Sequence, residues 1–350
     1  MLDTWDQSLW SIFAVFFVSA IGVWFSATKL TLYVDTIAHR TSIGEAFAGL
    51  LFLGFSTSLP EIVTTVTAAA DGNAQLAGSN LLGGVSLQFV VLALVEAVAK
   101  RREALTSVAP KAILMLQGVV MIFMLAVVIM AISLGETFTI GNVGAWTLSL
   151  VVIYIVTLRI VYLYETAPAW VPNNQNKESV VENIQREDQL EHLSNINLYL
   201  RIFAAAIVIL GTGYFVTRAS EAMVEVTGLG SHVIGATLLA LTTSLPEVTT
   251  SWSAIRLGAY TMAISNILGT NAIEVALFFP ADLAYKKGAI LTDLHSSSVF
   301  LASLGIIITA LYLWGLLERK NRTILGMGWD SFAVFIVYVA GVIILGLQPA

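Results

Sequence analysis

Apolar residues run along this chain in blocks of about 20, the length an α-helix needs to cross the hydrocarbon core of a bilayer, with short polar stretches between them. The blocks predict helices over Leu9–Thr28, Ile43–Ala70, Gln75–Ala99, Ile113–Leu134 and Val143–Tyr164. They continue over Leu200–Ala219, Val233–Arg256, Tyr260–Tyr285, Val299–Leu317 and Trp329–Leu347. These ten spans fall into two groups of five. The long polar stretch between them, Glu165 to Asn197, is rich in Asn, Gln and Glu, and Pro168 and Pro172 stop the fifth helix from continuing. The expected organisation is a first membrane unit over residues 1–164, a polar linker over 165–198 and a second unit over 199–350. Backbone groups in lipid must pair internally, and apolar runs of helical length exclude a β-barrel. The fold class is therefore an all-α polytopic membrane protein of about ten transmembrane helices.

The basic residues orient these helices. Lys29, Arg40, Lys100, Arg101, Arg102, Lys111, Arg159, Lys177, Arg186, Arg201, Arg256, Arg319, Lys320 and Arg322 all fall on one face of the predicted topology, and only Arg218, Lys286 and Lys287 on the other. The positive-inside rule puts the linker in the cytoplasm and both termini outside, in a cell or inner membrane. Five spans per group is an odd number, so the second group enters from the opposite side and the two halves are inverted repeats.

Composition narrows the function. Hydrophobic residues make up 57% of the chain, charged residues 11%, and the mean hydropathy is +0.84, far outside the soluble norm. There is no cysteine, which excludes thiol catalysis, disulfides and Cys-based metal sites. No basic tract suggests nucleic acid, and the net charge of −6 says little because most charges sit in loops. Asp3 and Asp6 stand where a signal peptide carries basic residues, so the first apolar run is expected to be a retained helix. The expected partners are the bilayer and small inorganic cations, with no cofactor.

The two halves also match in sequence. At a constant separation of 186, Thr57-Ser58-Leu59-Pro60-Glu61 reads as Thr243-Ser244-Leu245-Pro246-Glu247; Ser79-Asn80 pairs with Ser265-Asn266, and Leu82-Gly83 with Leu268-Gly269. Inverted repeats carrying polar, Pro-interrupted helices at matching positions point to a transport site near the bilayer midplane. A carboxylate at mid-helix in lipid costs roughly 2.5–3.5 kcal/mol even on the mildest scale, so Glu61 and Glu247 need compensation. Residues three and four apart share a helix face, which stacks Thr57 and Ser58 beside Glu61, and Thr243 and Ser244 beside Glu247. Pro60 and Pro246 each remove the N–H that would bond the carbonyl four residues earlier, at Ser56 and Thr242. This donor set is all oxygen and suits a hard cation such as calcium, sodium or magnesium. Gln88 and Glu274 form a further pair at the same separation, so Glu274 is a third intramembrane acid, set among apolar neighbours. Asn80, Asn266 and Asn271 either line the site or bond between helices. His39, His192, His232 and His295 are scattered near helix ends and read as interfacial residues.

At these residues the sequence resembles the calcium/cation antiporter superfamily, in its sodium/calcium exchanger branch. The family's paired repeats carry a G-x-S-x-P-E-like element, matched closely by Ser56–Glu61 and Thr242–Glu247. A G-S-N-I-x-N-like element is matched more loosely by Ser79–Gln88 and Ser265–Glu274. The resemblance implies four ion sites between helices two, three, seven and eight, one for calcium and the others for sodium, with helices one and six sliding between states. It further implies Glu61 and Glu247 as central calcium ligands, oxygens from Thr57, Ser58, Thr243 and Ser244, backbone carbonyls of Gly54 and Ala240 for sodium, and the hydroxyl of Thr270. Three positions depart from the family pattern: Gly84 in place of a serine, Gln88 in place of an asparagine, and Glu274 in place of Asp or Asn. They open the possibility of proton coupling through Glu274.

The expected function is thus secondary antiport of calcium against sodium or protons. Exchange of magnesium or manganese for protons is the alternative within transport. A cation channel fits less well, because channels usually build acid rings from several subunits, whereas this chain pairs its acids within itself and is expected to work as a monomer. No zinc-binding or nucleophile-elbow motif supports an enzyme.

Overall fold

The structure is a computed structural model, and it describes residues 9–40, 57–99, 103–108, 111–166, 193–256 and 260–348. The main helices are α1 (Leu9–Arg40), α2 (Leu59–Ala70), α3 (Ala74–Val98), α4 (Ala112–Leu134) and α5 (Ala145–Thr166), followed by α6 (Asn195–Thr227), α7 (Ser231–Thr243), α8 (Leu245–Arg256), α9 (Tyr260–Ala284), α10 (Ser296–Glu318) and α11 (Trp329–Gly346). Among the described residues, eight helices are long and apolar enough to cross a membrane. α7 and α8, bent by 50° at their junction, make a ninth. The remaining expected span is described only in its second part, α2; residues 41–56, and with them the expected Gly54 carbonyl, lie outside the described residues, as does most of the linker.

Two expectations need correction. The first and sixth spans, read as about 20 residues, are helices of 32 and 33 residues. At about 1.5 Å per residue they exceed the hydrocarbon thickness. Hydropathy marks where the apolar run ends, not where the helix ends, so Lys29 and Arg40, expected in the loop after the first span, lie on α1. The seventh span is not continuous but breaks at Ser244, and a π-helical stretch, Gly235–Leu239, precedes the break.

Local chemistry fixes several ends. Asn73 caps α3 by accepting the Leu76 N–H at 3.0 Å, and Ser194 caps α6 through the Asn197 N–H, each satisfying an orphan donor of the first turn. Helices α4 and α5 are joined by a tight hairpin, β1 (Thr139–Ile140) with β2 (Val143–Gly144). Helices α10 and α11 are joined by its counterpart, β3 (Thr323–Ile324) with β4 (Met327–Gly328). Both hairpins share one register, Thr139 opposite Gly144 and Thr323 opposite Gly328.

The repeat therefore extends beyond the motifs. Helix α1 corresponds to α6, α2 to α8 and α3 to α9 at a separation of 186. Helix α4 corresponds to α10, the hairpins to each other and α5 to α11 at 184, the difference falling in the loops after α3 and α9. Helices α3 and α9 run through the interior, whereas α1, α5, α6 and α11 lie at the periphery with most of their apolar surface exposed, as lipid-facing helices require. One apolar cluster, with Leu76, Met121, Ile234 and Phe278, packs around the N-terminal turns of α3. A second, with Phe89, Leu92, Ile267 and Tyr312, packs around its C-terminal turns.

Candidate cation site

Helix α2 begins at Leu59, with Ser58 as the turn residue before it, and α8 begins at Leu245 after Ser244. The two serines have the same backbone angles, φ −83° and ψ 3°. The repeated Ser-Leu-Pro-Glu thus makes the same break twice, with Pro at the second helical position, where its missing N–H costs nothing. Glu61 and Glu247 follow in the first turns of these helices, where the helix dipole favours negative charge or any ligand that carries it. The expected kink is described in the second half, where α7 and α8 meet at 50° two residues ahead of Pro246; in the first half the chain before Thr57 lies outside the described residues.

The structure brings the expected residues together. Glu61, Glu247, Glu274, Gln88, Thr57, Ser58, Thr243, Ser244, Thr270 and Ala240 are all buried, none more than 2% exposed. The breaks face each other across the repeats: Glu61 lies beside Thr243, and Glu247 beside Thr57. The three carboxyls are within electrostatic reach of one another. Residues at the same position of the two repeats also touch. Gln88 Nε2 donates to Glu274 Oε1 at 2.5 Å, and Asn271 Nδ2 donates to the Val85 carbonyl at 3.3 Å, both pairs 186 apart. The pseudo-two-fold axis relating the halves passes between them.

What distinguishes this centre is its unpaired oxygen. Both carboxylate oxygens of Glu61 and of Glu247, Oε2 of Glu274, Oε1 of Gln88 and the hydroxyls of Ser58 and Ser244 have no hydrogen-bond partner, although all are buried. Buried polar groups are almost always paired, and an unpaired carboxylate in low dielectric carries a penalty of several kcal/mol. A cluster of orphan oxygens at mid-span is chemically incomplete without cations or protons. Among the described residues, no three acidic or histidine side chains close up into a ready-made metal cage; the arrangement offers two carboxylates with hydroxyls around them.

One expected ligand needs qualification, and for two asparagines the structure shows the bonds between helices. The Ala240 carbonyl accepts both the Ser244 N–H at 3.0 Å and the Thr243 hydroxyl at 3.1 Å, so both its lone pairs are engaged here. Asn80 and Asn266 bond within each repeat rather than across it: Asn80 Nδ2 donates to Thr64 and Thr65, and Asn266 Nδ2 to Thr250, which ties α2 to α3 and α8 to α9.

Known proteins place this geometry. The sodium/calcium exchanger protein family matches residues 11–163 and 197–344. The chain belongs to that family. A sodium/calcium exchanger of Methanosarcina acetivorans, MaX1, is 27% identical over 145 residues, 41% of either chain. Among solved structures, the H+/Ca2+ exchanger CAX superposes with a TM-score of 0.70 at 12% identity, covering 96% of this chain and 84% of that one. The sodium-calcium exchanger NCX_Mj superposes with a TM-score of 0.58 at 18% identity, covering 95% and 97%. These superpositions show the fold alone; the ions stay with the proteins named.

In this exchanger the three departures from the family pattern form one unit. A Cβ on Gly84 would lie 2.8 Å from Oε2 and 3.0 Å from Oε1 of Glu274, so the carboxyl of Glu274 occupies the space that a side chain at position 84 would need. Gln88 reaches that carboxyl from the other side. Next to it, a Cβ on Gly83 would lie 2.3 Å from Cα of Ala236, so α3 and the π-helical turn of α7 cross at backbone contact, as small residues allow in membrane packing.

A separate cavity of about 790 Å³ lies at the N-terminal end of α3, opposite from Val98. Asp71, Glu221, Glu225 and Asp293 line it, against Arg218 and Lys287, which favours cations. Arg218 bonds Asp71 at 2.7 Å and Glu221 at 3.1 Å, tying α6 to the α2–α3 turn, and Lys287 donates to the Gly72 carbonyl.

Sequence reasoning missed a second acid pair. Glu96 and Asp282 are also 186 apart, and both are buried. Asp282 accepts the Ile290 N–H on Oδ1, and the Gly144 N–H and Thr147 hydroxyl on Oδ2, all at 2.7 Å. Glu96 accepts the Leu105 N–H at 2.7 Å and the Ser331 hydroxyl at 2.5 Å. Each acid thus ties α3 or α9 to the hairpin region of the other half. The signal was available, since an acid at the same place in both repeats is the criterion that found Glu61 and Glu247.

Proposed function

We propose that the exchanger carries calcium across its membrane in antiport with protons, by alternating access at Glu61 and Glu247. The observation that carries this reading is the set of unpartnered carboxylate and hydroxyl oxygens at two symmetric helix breaks, an all-oxygen set suited to a hard divalent ion. Two carboxylates balance the charge of one calcium ion. Proton coupling is supported by the unit around Glu274, where a third carboxyl takes the space of the expected serine hydroxyl. Its amide partner can serve either protonation state, donating through Nε2 to a carboxylate or, turned over, accepting through Oε1 from the acid. Sodium coupling is the second reading, favoured by the relative from Methanosarcina, named a sodium/calcium exchanger.

In this reading the linker is cytoplasmic, both termini lie outside and the acid-lined cavity opens outward, as the distribution of Lys and Arg favours. One chain supplies both halves of the centre, so the working unit is a monomer. The test is calcium-45 uptake into proteoliposomes, driven in turn by a proton gradient and by a sodium gradient. Uptake with the proton gradient alone supports the proposal; uptake with sodium alone replaces it with the second reading. Uptake with neither removes antiport.

A further inference from the structure

The symmetric acids Glu96 and Asp282 differ in one respect. Thr147 and Ser331, which serve them, correspond at a separation of 184, but the preceding residue is Trp146 in the first half and Asp330 in the second. Asp282 is fully bonded, and the second acid at that end, the half-buried Glu136 over Gly144, accepts the Phe138 N–H at 3.2 Å and the Trp146 N–H at 3.4 Å. The Glu96 end also has a second acid, and there it is left without a partner. Asp330 is completely buried, its carboxyl seated over Gly315, where a Cβ would lie 2.3 Å from Oδ2. Neither of its oxygens has a hydrogen-bond partner; the Thr106 hydroxyl and the Ser331 amide are near enough to influence it without reaching bonding geometry. A second, independent group points the same way. Tyr312, on the α10 face that carries Gly315, is 1% exposed, its hydroxyl is unpartnered, and it lies within electrostatic reach of both Glu96 and Asp330.

We propose that Glu96 and Asp330, with the hydroxyls of Thr106, Tyr312 and Ser331, form a second cation site for a divalent ion of the calcium class, separate from the central one. Two carboxylates match the charge of such an ion, and the remaining donors are hydroxyl oxygens, as hard cations prefer. The site lies at the end of α3 remote from the acid-lined cavity. It joins α3, the short helix Leu105–Val108, α10 and the start of α11, so its occupancy bears on how firmly these elements are held together.

The test uses the full-length purified exchanger carrying Glu61→Gln and Glu247→Gln, which disables the proposed central site and so separates failure here from failure there. Terbium, a calcium surrogate excited through nearby aromatic side chains, is titrated and then displaced with calcium. The expected result is saturable emission displaced by calcium, with calcium affinity about tenfold weaker or more when Asp330→Asn is added, and unchanged by Asp282→Asn. Tyr312→Phe keeps the ring against Phe89 while removing the hydroxyl, and serves if Asp330→Asn does not fold; it is expected to weaken calcium several-fold. No calcium-displaceable emission in the Glu61/Glu247 background overturns the site, and so does affinity unchanged by either variant.

Discussion

Replacing Gly84 with serine places a Cβ 2.8 Å from Oε2 and 3.1 Å from Cδ of Glu274, well inside the roughly 3.5–4.0 Å at which non-bonded carbons rest. The atoms that must yield are the end of a flexible side chain, so the backbone stays and the Glu274 carboxyl swings away from Gln88. Overpacking of this kind costs about 1–3 kcal/mol. The lost hydrogen bond to a charged group is of similar size and belongs to the same displacement, so the two are not summed. A penalty of about 1–3 kcal/mol borne by the centre lowers apparent calcium affinity about 5- to 150-fold. Glu274→Asp withdraws the carboxyl by one methylene and leaves room for the serine. The double variant should therefore lose less than the two single variants together, by about 1–2 kcal/mol of coupling. It should also show the stronger sodium dependence, since it restores both the hydroxyl and the shorter acid of the family pattern. Calcium-45 uptake by all four proteins, at fixed pH with and without sodium, measures the cycle. Strictly additive losses would refute the reasoning, because Gly84 and Glu274 would then not compete for one space.

Glu61→Gln and Glu247→Gln should each abolish calcium transport while leaving monodisperse, membrane-inserted protein, since each removes one of two charges facing a divalent ion; near wild-type uptake by either variant would move the site elsewhere. Protons and calcium compete for the same carboxyls, so apparent calcium affinity should fall as pH falls. Glu274→Gln should flatten that dependence without ending calcium binding, and an unchanged pH profile would exclude Glu274 as the proton carrier. Ser179→Cys, introduced into a chain with no native cysteine, should resist an impermeant thiol reagent applied to intact cells; labelling from outside would invert the proposed orientation. Asp282→Ala removes the acceptor of two buried backbone N–H groups, at Ile290 and Gly144, each orphaned group costing about 1–3 kcal/mol, while the Thr147 hydroxyl keeps the Gly144 carbonyl at 2.9 Å. The substitution should lower the melting temperature far more than Glu225→Ala in the cavity lining, and equal melting temperatures would show that the tether carries little stability.

The central carboxyls were legible because lipid makes the rule strict. An acid such as Glu61 inside an apolar run has to be explained, and its recurrence as Glu247, with Ser-Leu-Pro attached, leaves little room for accident. The same logic applied to weaker motifs would have found Glu96 and Asp282. The break at Ser244 was legible in part: Pro246 announced a kink, but not its place two residues earlier. The lengths of α1 and α6 were not, since beyond the apolar run nothing in hydropathy says where a helix stops.

Asp330 had no signal at all, because its repeat mate is Trp146 and an acid in the first turn of a helix is ordinary. Only packing against Gly315 reveals it as buried and unpartnered. The role of Gly84 likewise waited for tertiary structure: in sequence it reads as a missing hydroxyl, in space as room for the carboxyl of a residue 190 positions away. Composition and periodicity determined the class, the spans and the inverted repeat, since those follow from local hydropathy and from counting. Which oxygens meet, which are already bonded, as at Ala240, and which are left without partners depends on contacts between distant segments, and no local pattern encodes them.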